Sequence, residues 1–417
     1  MVSANLTHLL DERVDWRFKG FPPAEGVTFG TVGEQGWNLI AGDLPLPALV
    51  LKERALAHNV ELVARWCAEH GVLHAPHGKT MMAPQLAERQ LAAGAWAVTV
   101  AHVSQARVYR AFGVPRIFLA NELVEPGSLR WLADELAADP NFDFYCLVDS
   151  LAGVELMTAA LAGAERPAKV LVEAGFAQGR TGCRSTEDAL EVARAAAASP
   201  MLELVGVEGF EGLIGGDRSG ASLAAVDAFL RHVRAVALKL SRGGLFADRE
   251  RVLLSAGGSA YFDRVVEHLG GDWLDRPIDL VVRAGGYLTH DEGLYATVSP
   301  LAGRLVPALE AWGVVLSRPE AELALVGLGK RDVSHDVDLP LPRLTHGQDG
   351  LRSVKELVVT ALNDQHAYVR VPRADPLAVG DLLGCGISHP CTAFDKWRLI
   401  PVVDDDYTVV DAIATFF

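Results

Sequence analysis

An α/β fold is predicted for this sequence: a parallel (β/α)8 barrel followed by a second, β-rich domain. Three observations predict it. From about residue 48, short β-branched runs alternate with alanine- and leucine-rich helical stretches. The alternation lasts for roughly 250 residues, the length of a closed eight-fold barrel. After about residue 297 it gives way to strands without regular crossover helices. Parallel neighbours need a crossover, so alternation means parallel β–α units.

The candidate strands are "ALVLK" (48–52), "VLHA" (72–75), "AWAVTVA" (95–101), "RIFLAN" (116–121), "FDFYCLVD" (142–149), "AKVLVEAG" (168–175), "LELVGVEGF" (202–210), "VLLSAGG" (252–258) and "DLVVRAGG" (279–286). Between them lie helical stretches such as "MAPQLAERQLAAG" and "TEDALEVARAAAAS", the latter with Thr186 as cap and acids in its first turn. There is one strand too many for eight. The surplus run 48–52 is assigned, with the leader 1–52, to the second domain. That leaves a barrel over 53–297 and a β-rich domain over 298–417, containing "RLVPALEAWGVVLSRP", "AELALVGLG", "AYVRVP" and "WRLIPVV". No internal repeat, low-complexity segment or flexible linker is visible.

Composition narrows the function. Half of the 417 residues are apolar, enough for a large core. A formal net charge of −15 argues for solubility and against nucleic acid or an anionic membrane as partner. No apolar run approaches the ~20 residues of a membrane span. The N-terminus carries acids early and shows no signal-peptide pattern. Five scattered cysteines form no disulfide framework, so the expectation is a reduced, cytoplasmic chain.

In such barrels chemistry collects at the C-terminal ends of the strands. Lys79, in "APHGKTMMAPQ", follows the first barrel strand. It is either an exposed loop lysine or one placed to carry a carbonyl cofactor. "GFAQGRTG" with Arg180, "EGFEG", "SAGGSA" and "RAGGYLTHD" close later strands on the same face. Two Gly-Gly turns on adjacent strands, 257–259 and 285–287, one of them followed by "SAYFDRVV" opening a helix, can cradle a phosphate. The alternative readings are ordinary turns, a strand-end salt bridge of Arg180 with Glu173, and a packed rim aromatic at Tyr287.

The ordered series "ALVLKERALAHNVELV", "PHGKT", "GFAQGRTG", "EGFEG", "AGGSAYFD", "GGYLTHDEGLY", "LNDQHAYV" and "GISHPCTAFDKW" resembles the fold-type III pyridoxal-phosphate enzymes. The resemblance is to the D-serine dehydratase and D-threonine aldolase group, related to alanine racemase through its N-terminal TIM-type barrel. It implies that Lys79 carries pyridoxal 5'-phosphate as a Schiff base and that Arg180 stands near the cofactor ring. It also implies that Gly257, Gly258, Ser259, Gly285, Gly286 and Tyr287 surround the phosphate, with hydroxyls at Ser259 and Tyr287 able to donate.

In "SHPC", His389 and Cys391 stand two apart, which on an extended segment points both side chains to one face. Imidazole and thiolate suit zinc, although the same pair could be an unrelated histidine and a packed thiol. In the resembled group this position supplies a two-ligand metal site, His-x-Cys in dehydratases and typically His-x-Asp in aldolases. Cys391 therefore favours a zinc-dependent dehydratase, with Mn2+ as the alternative ion. The reaction implied converts a D-β-hydroxy amino acid (D-serine, D-threonine or 3-hydroxy-D-aspartate type) to a 2-oxo acid and ammonia, and the D preference rests on the resemblance alone. The rivals are a metal-dependent D-threonine-type aldolase, an amino-acid racemase and a non-catalytic cofactor carrier. A homodimer with the site at or near its interface is expected.

Two departures stand out. Relatives commonly carry a tyrosine and later a histidine where this chain has Phe210 and Leu213. About 310 residues separate Lys79 from Cys391, so only folding or dimerisation can unite them. His77, His102, His290, His335 and His366 stay without an assigned role.

Overall fold

The computed structural model describes residues 4–417, whose strands form two sheets. The first strand, β1 (Ala48–Lys52), lies in the larger sheet. The barrel strands are β2 (Leu73–His74), β3 (Val98–Val100), β4 (Arg116–Glu122), β5 (Asp143–Val148), β6 (Ala168–Ala174), β7 (Leu202–Gly209), β8 (Val252–Ala256) and β9 (Ile278–Val282). They pair in parallel in the order β2-β9-β8-β7-β6-β5-β4-β3. The circle is completed where Trp96 N donates to His74 O at 2.7 Å and Thr99 N to Pro76 O at 2.9 Å. This is the α/β barrel the strand–helix rhythm predicts.

The crossover helices begin where local chemistry allows. The helix Thr186–Ala198 is capped one residue earlier than expected: the Ser185 hydroxyl, not that of Thr186, accepts from Asp188 N at 3.1 Å. Acids Glu187 and Asp188 then sit in the first turn, against the positive end of the helix dipole.

The barrel interior is layered. Ala75, Ala97, Phe118, Tyr145, Leu147, Leu171, Val205, Leu253 and Val281 form an apolar plug. Two residues onward along a strand the pleat returns to the same face. His77, Thr99, Glu173, Ser255 and Arg283 therefore stand above that plug. On β7 a register shift places Leu171 opposite Gly206 and Glu173 opposite Glu208. The irregularity turns Glu208, rather than Val207, inward. A polar layer thus floors the open end of the barrel.

The second sheet holds β10 (Leu309–Glu320), β12 (Leu341–Gly347), β13 (Gly350–Ser353), β16 (Leu382–Gly386), β17 (Leu399–Val403) and β18 (Val409–Ala414), in the order β13-β12-β16-β10-β1-β17-β18. A branch from β10 carries β11 (Leu323–Val326), β15 (Ala367–Arg370) and β14 (Val358–Leu362). Strand β1 pairs antiparallel with β10 and parallel with β17. Its pleat sends Leu49 and Leu51 into the main core and Ala48 and Val50 into a separate cluster with Phe18, Phe29 and Trp312. Burial on both faces explains its unbroken apolar run. Each of its two leucines contributes about 1.5–3 kcal/mol by leaving water. Among the described residues no helix is long and apolar enough to cross a membrane.

Candidate active site

The lysine loop leaves β2 and folds as a 3-10 turn, Gly78–Thr80. Tyr109 lies beneath it, fully buried, and donates its hydroxyl to Gly78 O at 2.8 Å. A Cβ on Gly78 would stand 2.5 Å from that hydroxyl, so only glycine permits this close approach. Lys79 projects into a cavity of about 320 Å3 whose wall includes His77, Asn121, Arg180, Phe210 and Arg283. Among the described residues no carboxylate lines it. The Lys79 side chain is open to solvent through the cavity, yet protein crowds its amine. Desolvation first, then the Arg180 and Arg283 guanidiniums, hold the amine below the usual lysine range, against the opposing pull of Cys391.

Arg180 forms no ion pair among the described residues. Its guanidinium lies 4.7 Å from the Phe210 ring centroid, a cation–π contact that keeps its donors turned into the cavity. Glu173, the alternative partner, instead accepts from the Thr181 hydroxyl at 3.0 Å. The loop around Arg180 is shaped by a residue the sequence reading passed over, Arg184. Its guanidinium collects the carbonyls of Gly179, Arg180, Thr181 and Gly182. Arg283 is likewise new: it pairs with buried Glu208 and donates to Ser255 Oγ at 2.5 Å. The inward alternation of β9 would have found it.

The glycine turns differ in part from expectation. The N–H groups of Gly257 and Gly258, expected to face an anion, donate to Glu211 at 3.1 and 2.8 Å. Glu211 is wholly buried, so those two donors are consumed in joining the loops after β7 and β8. Gly286 N donates to Ser259 Oγ at 3.2 Å, and the Tyr295 hydroxyl lies beside Ser259. A Cβ on Gly286 would collide with the Tyr295 ring, while Gly285 packs against the His77 backbone. Tyr287 does not present its hydroxyl to this cup. It is buried beside His74 and accepts from Gln90 Nε2 at 2.9 Å. The phenol that reaches the cup is Tyr295, eight residues later, which no spacing argument singled out.

His389 and Cys391 meet by a different geometry from the one predicted. His389 is extended, but Pro390–Thr392 form a 3-10 turn, so the pair is brought together by a bend rather than by strand alternation. His389 Nδ1 lies 2.8 Å from Asp336 Oδ2, and Thr392 Oγ1 donates to Asp336 Oδ1 at 2.8 Å. The hydrogen bond with Cys391, helped by Asp336 and opposed by burial, pushes the imidazole up to about 9. Cys391 Sγ lies 3.1 Å from Thr80 Oγ1, beside Lys79. One chain therefore unites residues about 310 apart in sequence.

This donor set fits a divalent ion bound by one nitrogen and one sulfur, with a carboxylate behind the imidazole. Among the described residues no third His, Cys, Asp or Glu completes the set. The remaining coordination is left to water or substrate. Of the other histidines, His77 lines the cavity, and its imidazole is held neutral, well below the usual range, by burial. His102 caps a helix, accepting from Ser104 N. His290 is buried at a strained φ of 38°. His335 and His366 contribute nothing to the cavity wall.

A parallel barrel with a lysine at its mouth, two guanidiniums across the cavity and a hydroxyl-bearing glycine cup has the site plan of a fold-type III pyridoxal-phosphate enzyme. The family model of the alanine racemase N-terminal domain matches residues 51–261, and the chain belongs to that family. A putative serine dehydratase domain matches residues 308–403. A D-threonine aldolase of Arthrobacter sp is 28% identical over 363 residues, covering 86% of this chain and 89% of that protein. The D-threonine aldolase structure from Filomicrobium marinum superposes with a TM-score of 0.76 at 23% identity, covering 91% of this chain and 97% of the other. D-threo-3-hydroxyaspartate dehydratase from Delftia sp. HT23 gives 0.75 at 21% identity, covering 91% and 99%. A cysteine-to-alanine variant of that dehydratase has been solved in the metal-free form.

Proposed function

We propose that this chain is a pyridoxal-phosphate- and metal-dependent lyase that converts a D-β-hydroxy amino acid to a 2-oxo acid and ammonia. The observation that carries the reading is the 3.1 Å contact between Thr80 Oγ1 and Cys391 Sγ, which joins the lysine loop to the metal pair. A substrate held there has its Cα beside Lys79 and a β-oxygen within reach of His389 and Cys391.

Pyridoxal phosphate, when bound, supplies the electron sink for the carbon left at Cα. Lys79 carries it and, once released, holds and moves the α-proton at Nζ. Its lowered basicity favours the neutral amine that a general base needs. Arg180 and Arg283 offer fixed donors to the ring and to the substrate carboxylate. The Ser259 and Tyr295 hydroxyls form the phosphate cup, and the N–H of Gly286 holds the Ser259 oxygen in place. Phe210 holds the Arg180 fork across the cavity and shields it from water. His389 and Cys391 would hold zinc, with manganese as the alternative, and the ion would supply Lewis acidity for loss of the β-oxygen.

The test is product analysis with D-serine, D-threonine and 3-hydroxy-D-aspartate. Keto acid and ammonia are expected. Glycine with an aldehyde would move the assignment to a D-threonine-type aldolase, the second reading, which the 28% identity to such an enzyme over most of the chain favours. A racemase would leave the metal pair without a task, and a non-catalytic carrier would leave the second sheet without one. We place the enzyme in the cytoplasm as a homodimer. Full activity in a species that stays monomeric at assay dilution would overturn that last point.

A further inference from the structure

We propose that Thr80 is a positioning residue for the metal site: its hydroxyl donates to the Cys391 sulfur and sets the direction and donor strength of that ligand. The inference rests on the reading of His389 and Cys391 as metal ligands. A thiolate bound to a metal carries no proton, so in the contact between Thr80 Oγ1 and Cys391 Sγ the hydroxyl must be the donor. Donation to sulfur stabilises the unprotonated thiolate that a metal needs and fixes one direction of approach, effects that outweigh the electron density it withdraws.

The hydroxyl is well held. Thr80 is buried, and its turn is clamped from two sides. On the barrel side Tyr109 binds Gly78 O. On the other, Phe416 N donates to Met82 O at 2.9 Å, and Gln85 spans Ala412 O and Ala414 N, each at 3.1 Å. Each proposed ligand then has its own supporting group from a distant part of the chain: Asp336 behind His389 and Thr80 behind Cys391. Asp336 is a carboxylate beside an imidazole, a familiar support for a metal-bound histidine. The Thr80 contact has a further consequence, because the residue before it carries the cofactor. One short turn therefore sets both the lysine and the sulfur.

The experiment uses cofactor-loaded protein and compares wild type with Thr80→Val and Thr80→Ser. Valine keeps the branched shape and loses the O–H; serine keeps the O–H. Zinc affinity is read by competition with a chromogenic chelator. Thr80→Val is expected to bind about 10–100-fold more weakly, the usual loss for a supporting group, and Thr80→Ser within about threefold of wild type. With cobalt(II) as probe, the thiolate-to-metal charge-transfer band should move to longer wavelength in Thr80→Val and stay in place in Thr80→Ser. The Schiff-base absorbance of Lys79 should be the same in all three. Should Thr80→Val fail to fold, Thr80→Ala removes the same O–H and carries the same expectation. Wild-type affinity and an unshifted band in the O–H-free variant would overturn the role of Thr80 while leaving the metal reading intact. Failure of the wild type itself to bind zinc or cobalt would instead overturn the metal reading, and this proposal with it.

Discussion

The floor of the cavity and the His389–Cys391 pair are built on different principles. Glu208 and Ser255 stand on neighbouring parallel strands, each paired on both sides, and Arg283 directly follows β9, its N–H donating to Gly257 O at 2.9 Å. Their relative positions follow from strand register. His389 precedes and Cys391 lies within a 3-10 turn after β16, and they are held by side chains from elsewhere, Asp336 and Thr80. A rigid sheet suits a cofactor that must stay put. A pair held by side-chain contacts depends on those contacts for its geometry, and its metal affinity should answer to their removal. The two regions should therefore respond differently to substitution, and that difference can be measured.

The largest effect should come from the barrel side. Lys79→Ala removes the carrier and the base together, and turnover should fall by at least about 10³-fold. The cofactor-free protein should melt within about 2 °C of wild type, since a cavity lysine contributes little packing. Borohydride reduction of the wild type should label Lys79, and a label found on another lysine would break the cofactor side of the comparison. Next comes the metal side. His389→Ala, Cys391→Ala or chelation should each cost about 10³-fold in elimination while the Schiff-base absorbance persists, because the lost Lewis acid is worth several kcal/mol of barrier. Native rates from protein shown by elemental analysis to hold no metal would return Cys391 to the role of a small, part-buried thiol.

Support should count for more on the metal side. Asp336→Ala should weaken zinc binding by about 10–100-fold and leave cofactor affinity alone. An equal loss of both would mean that the two regions are one rigid unit. A pH test addresses the barrel rim. Burial, then the neighbouring Glu173 carboxylate, push Glu122 up to about 9, against an ordinary value of 4.5. Between those values the folded protein keeps a proton that the unfolded chain has released. Stability should thus fall as pH rises across that window, by at most about 1.4 kcal/mol per pH unit. Glu122→Gln mimics the protonated form, so it should match wild type near pH 4 and melt higher near pH 8. Identical melting curves at both ends would mean that folded Glu122 keeps no extra proton. The smallest effect separates two tyrosines. Tyr287→Phe should cost about 1 kcal/mol of stability through the lost Gln90 bond and leave cofactor affinity unchanged, whereas Tyr295→Phe should weaken cofactor binding by a similar amount. Reversal of that order would return Tyr287 to the phosphate cup.

Sequence by itself determined the barrel, because parallel β–α units follow from the spacing of apolar runs, and that spacing is local. It also placed Lys79, Arg180 and Ser259 at strand ends, since the fold fixes where strand ends lie. Tertiary structure decided the rest. The register shift on β7 that turns Glu208 inward leaves no mark in "LELVGVEGF", because a bulge is set by the neighbouring strand. Glu211 takes the N–H groups of Gly257 and Gly258 from a loop some 46 residues away, so a glycine turn that could have bound an anion is already satisfied. Tyr287 and Tyr295 are indistinguishable as letters. Which phenol reaches Ser259 depends on the turn made by Gly285 and Gly286 and on Gln90 waiting across the helix layer. Thr80 and Cys391 could not be paired from sequence at all, since hydrogen-bond partners 311 residues apart are chosen by the packing of two sheets against one loop.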